Sequence, residues 1–539
     1  MSNEKIKINS NYLRGTLESG LKDQLTGQIS ADDQQVIKFH GIYQQDDRDR
    51  RTERALKKLE RDYSFMIRLR IPGGKITAEQ WLGVNEVAKH NSTGVIKITT
   101  RQTIQLHGVI KSKLKPTVKW FDKYGLDAIA ACGDVNRNVM STSEPAKSAG
   151  EYEVYEFSKK ISEHLLPQTN AFNEIWLDGE KINKEDEHEP LYGEVYLPRK
   201  FKIVLAIPPY NDVDLFAHDI GLIAIIKDGE LLGFNVSAGG GMGMTHGNEK
   251  TYPRAGTIFG YAPKDKILDV CFQIAAVQRD NGNREDRKQA RLKYTIDRLG
   301  EEWFKAELEK RLGFKLEAAK EYEFKTRTDT LGWKEDYLGK LHYSIFVENG
   351  RVLGDLKTAL NELAEQKLVN FTFSNNQNVS LSDIEPANKA KVADILKKYN
   401  INNEQSALRH NSMACVALNT CPLALAEGQR YLPELVTKIE ELQTKHELSE
   451  QAISVRMTGC PNGCARPYLA EIGFVGKAMG KYNMYLGASP RGERLNKLYK
   501  ESLSEAEILT ELDQLLPKFK AERNSGEAFG DFINRINLV

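Results

Sequence analysis

The stretch FMIRLRIPGGKITAEQWLGVNEVAKH, residues 65–90, has the pattern of a strand, a glycine turn and a helix. A second stretch, YSIFVENGRVLGDLKTALNELAEQ at 343–366, repeats that order. Each is followed by two short alternating strands around a polar turn, GVIKITTRQTIQLHG at 94–108 and VNFTFSNNQNVSLSD at 369–383. We therefore expect two copies of one small α+β module.

The spacing between matching residues supports an internal duplication. Gly74 to Gln102 is 28 positions and Gly350 to Gln377 is 27, while Gln102 to Arg137 is 35 and Gln377 to Asn411 is 34. Agreement in three registers, in the same order, indicates two related halves.

Each module is followed by a larger segment. In the first half this segment contains YLPRKFKIVLAIPP at 196–209, and in the second half it contains most of the cysteines. If the halves pack about a pseudo-twofold axis, the basic segment and the cysteines face each other across a cleft, and such clefts are common ligand sites.

Size and charge limit the classes of protein to consider. A chain of 539 residues needs several domains, and its 40% hydrophobic content provides ample core. Lys and Arg (76) nearly balance Asp and Glu (75), so whole-chain charge does not favour nucleic acid. No 18-residue apolar run occurs, and no apolar stretch follows the N-terminus. We expect a cytoplasmic chain with no nucleic-acid or membrane partner.

Four of the six cysteines lie within fifty residues, in the segments CVALNTC (415–421) and CPNGC (460–464). Four thiolates in two Pro- and Gly-rich loops are the right number for a metal centre. Structural zinc prefers two to four residues between ligands, so the five-residue gap favours an iron–sulfur cluster. Zinc and four buried structural thiols remain alternatives. Cys132 and Cys271 are predicted to be ordinary core residues.

Basic residues form a second candidate set. Lys200 and Lys202, in PRKFK, are predicted to lie on one face of a strand, where two cations suit a small oxyanion. The alternative is a solvated strand edge protected by lysine. Arg68, Arg101, Arg137 and Arg199 complete the set.

Two further segments have simpler interpretations. The glycine-rich run at 237–254 lacks the spacing of a dinucleotide fingerprint or a P-loop. The basic run NGNREDRKQARLKY at 281–294 is predicted to be a helix with a solvated face.

The cysteine segments carry a resemblance to a known family. MACVALNTCPLALAEGQRYLP (413–433) and MTGCPNGCARPYLAEIGFVGKAMGKYN (457–483) resemble the sulfite and nitrite reductases that contain sirohaem and a [4Fe–4S] cluster. Other segments are similar to the haemoprotein (beta) subunits of NADPH-dependent assimilatory sulfite reductases, namely YQQDDRDRR (43–51), TTRQTIQLHG (99–108), VNRNV (135–139), EIWLDGEK (174–181), YLPRKFK (196–202) and FGDF (529–532). The similarity extends from about Asn11 to Phe532.

The resemblance implies an α+β fold, internally duplicated, with two ferredoxin-like half-domains and two larger α/β cofactor-binding domains around a pseudo-twofold axis. The expected parts are an N-terminal extension (1–60), a first ferredoxin-like half-domain (61–135), a first sirohaem- and substrate-binding domain (136–330), a second half-domain (331–408) and an iron–sulfur and sirohaem domain (409–539).

The resemblance also implies roles for individual residues. The cluster ligands would be Cys415, Cys421, Cys460 and Cys464, with Cys464 also ligating the sirohaem iron. The anion-binding catalytic cations would be Arg68, Arg137, Lys200 and Lys202. The sirohaem contacts would be Arg101, Gln105, His107 and Arg199, because a macrocycle with eight carboxylates needs buried cations.

The activity implied is reduction of sulfite to hydrogen sulfide, which takes six electrons and six protons. The cluster would relay electrons singly, and the cations would bind the dianion and donate protons. Neither group accepts hydride from NADPH, so a flavoprotein (FAD/FMN) NADPH reductase subunit is the expected partner, in a hetero-oligomer.

Two residues depart from the family pattern: Gly133 stands where relatives have Asn, and Lys97 stands where they have Arg. The departure at Lys97 puts its sirohaem contacts in question, because Lys and Arg differ in hydrogen-bond geometry. The competing functions are a sirohaem nitrite reductase and, in another class, a non-catalytic iron–sulfur or zinc sensor or scaffold.

Overall fold

The computed structural model describes residues 2–169, 171, 176–177, 180–181 and 189–539, so half of the segment EIWLDGEK (174–181) lies outside the described residues. Helices in the described residues are α1 (Asn3–Ile8), α2 (Leu17–Lys22), α3 (Asp33–Val36), α4 (Arg51–Leu56), α5 (Ala78–Asn91), α6 (Leu114–Lys123), α7 (Ala149–His164), α8 (Ile267–Asn281), α9 (Leu292–Leu299), α10 (Glu301–Leu312), α11 (Gly354–Glu365), α12 (Lys389–Lys398), α13 (Ala407–His410), α14 (Leu432–Lys445), α15 (Glu505–Glu522) and α16 (Phe529–Arg535). None of them is long and apolar enough to cross a membrane.

The strands form two antiparallel and two mixed sheets, apart from the short pair β7 (Trp176–Leu177) and β8 (Glu180–Lys181). Sheet I has the order β1 (Ile42–Asp46), β2 (Tyr63–Arg68), β5 (Ile104–Val109), β4 (Ile96–Ile98) and β15 (Arg351–Val352). Sheet III has the order β13 (Gly332–Glu335), β14 (Leu341–Ile345), β17 (Val379–Ile384), β16 (Asn370–Phe373) and β3 (Lys75–Ile76). Both are antiparallel throughout.

The two larger sheets also match each other. Sheet II has the order β6 (Met140–Ser141), β9 (Ile203–Ala206), β10 (Ile220–Lys227), β11 (Glu230–Ala238) and β12 (Thr257–Pro263). Sheet IV has the order β18 (Ser412–Ala414), β19 (Val455–Thr458), β20 (Ile472–Ala478), β21 (Lys481–Leu486) and β22 (Lys497–Leu503). In each, three parallel strands are followed by two antiparallel ones, so the predicted internal duplication is confirmed.

The two modules exchange strands. β15, from the second half, pairs with β4 in sheet I, and β3, from the first half, pairs with β16 in sheet III. The helices α5 and α11 pack together over a shared core, in which Trp81 stacks on Phe371 at 4.8 Å between ring centroids. The strand β1 comes from the predicted N-terminal extension; the domain boundaries themselves stay a prediction.

The matched glutamines explain the repeated spacing. Gln102 Nε2 donates to the Ser141 carbonyl at 2.7 Å, and Gln377 Nε2 donates to the Ala414 carbonyl at 3.2 Å, so each glutamine ties its module to the first strand of the following sheet. Gly74 lies directly against Gln102. A Cβ at position 74 would lie 2.4 Å from Gln102 Cγ, so a glycine is needed there.

Candidate active site

The cysteine loops meet because they leave neighbouring parallel strands at the same end. Cys415 follows β18, and Cys460 and Cys464 follow β19, while the Cys415 N–H donates to the Met457 carbonyl at 3.2 Å. Backbone and side-chain N–H groups approach the sulfurs: Gly459 N lies 3.4 Å from Cys415 Sγ. The parallel pairing of β18 with β19 in sheet IV therefore brings the two cysteine loops together, which the sequence alone did not establish.

The four thiols interact electrostatically with one another. The pKa of Cys415 is raised well above its ordinary value by burial and by the neighbouring Cys464, and the same two causes raise the pKa of Cys460 to about 12. The pKa of Cys421 is also raised, by burial and by Cys464. Burial therefore disfavours the thiolate forms of Cys415, Cys421 and Cys460, so binding of iron by these residues releases protons.

The arrangement is not that of a single-ion site. Among the described residues, no three His, Cys, Asp or Glu side chains are placed to hold one metal ion. Cys464 raises the pKa of each of the other three cysteines, so the four thiols lie near one another, and four cysteine thiolates are the usual ligands of a [4Fe–4S] cluster. The donor set therefore fits a [4Fe–4S] cluster.

Cys464 is the exposed member of the four, and it opens onto a cleft. The cleft lies between the two halves, as the duplication predicts. Its lining residues are Thr100, Arg101, Lys200, Lys202, His218, Met242, Gly243, Arg291, Asn462, Gly463, Cys464 and Arg466.

Lys200 and Lys202 face this cleft and are not on a solvated strand edge. They lie directly before β9, and among the described residues neither Nζ has a hydrogen bond or an ion pair. The pKa of Lys200 is held well below its ordinary value by burial and then by Arg199, and that of Lys202 by burial and then by Arg291. Two cations that form no ion pair within the described part of the chain, at one cleft, suit the binding of a small anion.

Arg68, Arg101 and Arg137 form a second group of cations that interact with one another. Burial, with Arg68 and Arg137 nearby, lowers the pKa of Arg101 to about 9. Arg101 Nη1 is buried without a hydrogen-bond partner among the described residues, and Arg137 Nη2 donates to the Gly133 carbonyl at 2.9 Å. An unpartnered buried guanidinium N–H fits the carboxylates of a macrocycle.

The predicted interpretation of Cys132 as ordinary core is incomplete. Its side chain is fully buried, as expected, but Arg68 Nη1 donates to Cys132 Sγ at 2.9 Å. Cys132 therefore supports one of the cations in addition to filling space.

Gln105 and His107 project from the same face of β5. Gln105 is paired with Arg68 on β2 and with Lys97 on β4, and His107 Nδ1 donates to Gln45 Oε1 at 3.0 Å. Burial, with Lys97 nearby, lowers the pKa of His107 to about 3, so this imidazole is neutral.

Lys97 connects the two halves. Its Nζ donates to the Asn349 carbonyl, and burial lowers its pKa to about 7 against the opposing effect of Cys415. The family departure at this position therefore lies beside the cysteine site and is held by a backbone acceptor. Arg199 is partly exposed, and burial together with Arg287 lowers its pKa to about 10.

Gly133, the other departure, has a structural reason. Its φ is +87°, and a Cβ built there would lie 2.9 Å from Phe39 Cδ1. A side chain at this position requires both a left-handed backbone and movement of Phe39.

The prediction of a solvated basic helix over 281–294 is wrong. α8 ends at Asn281, α9 begins at Leu292, and Arg291 between them is buried and lines the cleft, with Nη2 donating to both Asp219 carboxylate oxygens at 3.0 Å. A run of basic residues in the sequence does not show that one of them forms an ion pair with a carboxylate far away in the chain.

Arg466 and His218 are also site residues that the sequence analysis missed. Arg466 stands two positions after Cys464, which is the one signal that could have found it. Its Nη1 donates to the Thr100 carbonyl at 2.9 Å, and Thr100 Oγ1 donates to the Cys464 carbonyl at 3.0 Å.

Comparison with known proteins agrees with this geometry. Residues 58–122 match the Nitrite/Sulfite reductase ferredoxin-like half domain, and residues 156–316 match the Nitrite and sulphite reductase 4Fe-4S domain. A Leptospira biflexa protein named "Sulfite reductase [NADPH] hemoprotein beta-component" is 60% identical, with 99% of this chain and 98% of the relative covered. The chain belongs to the nitrite and sulfite reductase family.

A second relative supports this assignment, and a solved structure supports the fold. The "Sulfite reductase [NADPH] hemoprotein beta-component" of Staphylococcus epidermidis is 52% identical, with 99% of this chain and 95% of the relative covered. The structure of the Mycobacterium tuberculosis NirA protein is 23% identical and superposes with a TM-score of 0.81, over 99% of this chain and 96% of that one. It confirms the expected duplicated α+β fold.

The family match at 156–316 contains the basic segment of the first half and not the paired cysteines. This family domain is described as a 4Fe-4S domain, yet Cys271 is the sole cysteine in the matched residues. In this member of the family, the cysteines stand in the matching part of the second half, in the loops of sheet IV.

Proposed function

We propose that this chain reduces sulfite to hydrogen sulfide as the haemoprotein subunit of a sulfite reductase, with a sirohaem coupled to a [4Fe–4S] cluster. The observation that carries the proposal is the cleft between the halves, in which the unpaired Lys200 and Lys202 stand with Cys464. An anion site and an exposed cysteine of a four-thiol group in one cleft favour reduction of a small oxyanion.

The residues fit both groups. Cys415, Cys421, Cys460 and Cys464 would hold the cluster, and Cys464, the most exposed, would also ligate the sirohaem iron. Arg101, with its unpartnered Nη1, is the best placed of the proposed macrocycle contacts, and Gln105, His107 and Arg199 are the others. When bound, the two groups would supply electrons singly to the sulfur atom.

The cations of the chain would bind the anion and donate protons to it. Lys200 and Lys202 would bind the sulfite oxygens as point charges, and Arg68 and Arg137 would complete the anion site. The lowered pKa values of both lysines bring them toward the range in which an ammonium group donates a proton to a leaving oxygen. Both lysines stand just before β9, which is paired on both sides by β6 and β10, and such preorganised cations need little reorganisation during the reaction.

Nitrite is the competing anion, because it would use the same cations and cofactors. The full-length similarity to chains named sulfite reductase favours sulfite. The similarity to NADPH-type beta-components also supports a partner: an NADPH-oxidising flavoprotein subunit that passes electrons to this chain.

The test combines composition, spectrum and turnover. The purified chain should contain iron and acid-labile sulfide, show the visible bands of a haem, and reduce sulfite with a chemical one-electron donor. Nitrite should have a lower kcat/KM than sulfite. A protein with no haem bands would contradict the proposal, and a preference for nitrite would move it to the competing function.

A further inference from the structure

His218 is a buried residue of the cleft to which no role has been given. It follows the short turn Leu215–Ala217 and precedes β10, and its side chain is 2% exposed. Its ring lines the cleft beside Lys202, because β10 runs parallel to β9 and Ile220 N donates to the Lys202 carbonyl at 3.0 Å.

The two ring nitrogens have different surroundings. Nε2 lies 3.0 Å from the Val213 carbonyl, and since a carbonyl only accepts, Nε2 carries the proton. Nδ1 is buried and has no hydrogen-bond partner among the described residues. A neutral imidazole that donates through Nε2 presents a lone pair at Nδ1, and a buried lone pair without a donor is unfavourable.

The charges around the ring keep it neutral. Burial and Lys202 hold the pKa of His218 well below its ordinary value; Arg466 acts in the same direction, and Asp214 opposes them. Of these groups, Lys202 is the one without a hydrogen-bond partner among the described residues, because Arg466 and Asp214 are bonded to each other. The free acceptor and the free donor therefore belong to neighbouring side chains.

We propose that His218 is a positioning residue for Lys202: its Nδ1 accepts a hydrogen bond from the Lys202 ammonium group, directly or through one water, and holds that group toward the anion. The catalytic meaning of this contact rests on the proposed function, but the contact itself does not. It favours the ammonium form of Lys202 in a site whose other cations disfavour it.

Two substitutions of His218 distinguish the roles of its two ring nitrogens. His218→Asn can place an amide oxygen near the position of Nδ1 and loses the donor to Val213, whereas His218→Gln can keep an N–H toward Val213 and loses the acceptor at Nδ1. His246→Gln, at an exposed histidine, serves as a control.

The first measurement is the rate at which Lys202 is acetylated by acetic anhydride at fixed pH, followed by peptide mass spectrometry and compared with the exposed Lys227. Only the free amine reacts, so loss of the acceptor should raise the Lys202 rate by about tenfold in His218→Gln, the effect of one hydrogen bond to a charged group. His218→Asn should stay near the wild-type rate.

The second measurement is sulfite turnover with a chemical donor. His218→Gln should raise KM more than it lowers kcat, because an untethered ammonium binds the anion less well, and His218→Asn should restore KM. Circular dichroism and thermal melting identify any variant that fails to fold.

Labelling needs neither cofactor nor sulfite, so its result stands if the proposed function fails. A faster Lys202 rate in His218→Gln than in His218→Asn supports the proposal. Equal rates in the two folded variants, or a faster rate in His218→Asn, would overturn it, because the tie to Val213 would then be the role of this ring.

Discussion

Asp214 and Arg466 occupy equivalent positions in the two halves, and their side chains meet, with Nε 2.5 Å from Oδ2. Asp214 comes eight residues after β9 and six before β10, and Arg466 comes eight after β19 and six before β20. Both have a left-handed backbone, with φ of +49° and +53°. The two halves are therefore joined at the site by an ion pair between two equivalent residues.

Arg466 also donates hydrogen bonds to both modules. Arg466 Nη1 donates to the Thr100 carbonyl at 2.9 Å and Nη2 donates to the Asn375 carbonyl at 3.1 Å, and Thr100 and Asn375 are themselves equivalent by the glutamine register. Because Arg466 follows Cys464 so closely, this junction holds the cysteine loop against the basic half.

Asp214→Asn should lower the free energy of unfolding by about 3–5 kcal/mol at pH 7, because Arg327, Arg456 and Arg466 would be left buried around a neutral group. Chemical denaturation measures the change. Glu18→Gln, which removes an exposed helical pair with Lys22, is the control and should change stability by less than about 0.5 kcal/mol. A comparable loss in both variants would contradict the role of the junction.

The acid stability should depend on the same carboxylate. Its arginines hold the pKa of Asp214 far below the ordinary value, so its stabilisation is present above the unfolded pKa of about 3.9 and is lost as pH falls through the folded pKa. The difference in melting temperature between wild type and Asp214→Asn should shrink below about pH 4. A constant difference from pH 7 to pH 3 would assign the loss to another cause.

Cys464→Ser should reduce both iron–sulfur content and sirohaem content, because one thiolate is proposed to serve both groups. Cys132→Ser should leave both near wild-type levels, since its contact is to Arg68. Iron, sulfide and haem analysis of the purified variants tests this. Full sirohaem and full activity in Cys464→Ser would refute the shared ligand.

Lys200→Ala or Lys202→Ala should lower kcat for sulfite by about 100-fold, the usual effect of removing one preorganised charged donor, with cofactor content near normal. Lys227→Ala, at the exposed end of β10, should have no effect. Wild-type kinetics in both cleft variants would exclude these lysines from the reaction.

Gly133→Ala should destabilise the protein more than Gly94→Ala does. The two glycines have similar φ, +87° and +84°, but a Cβ at Gly94 meets nothing within 4 Å. The backbone penalty of about 1 kcal/mol is common to both, and the collision with Phe39 should add about 1–3 kcal/mol at Gly133. Equal melting temperatures would mean that Phe39 moves without cost.

The chain alone should reduce sulfite with a chemical one-electron donor and fail with NADPH. The glycine-rich run at 237–254 lacks the dinucleotide fingerprint, and in the structure Gly243 packs beside the Asn462 carbonyl of the cysteine loop. Addition of the flavoprotein partner should restore NADPH oxidation coupled to sulfide formation. Robust NADPH-driven turnover without a partner or flavin would refute the dependence.

The sequence by itself determined the duplication, the paired cysteine loops and most of the cations. These features are local or periodic: glycine turns, strand alternation and spacing between cysteines are visible without knowledge of distant contacts. The register of Gln102 and Gln377, read from spacing alone, corresponds to a hydrogen bond in each half.

Only the tertiary structure decided which residues join across the halves. Arg291 is removed from solvent by Asp219, 72 positions away, and Arg466 finds Asp214 at a separation of 252. His218 enters the cleft because two parallel strands place it beside Lys202. Such pairings depend on strand order and on the pseudo-twofold packing, and these long-range constraints leave no periodic pattern in the chain.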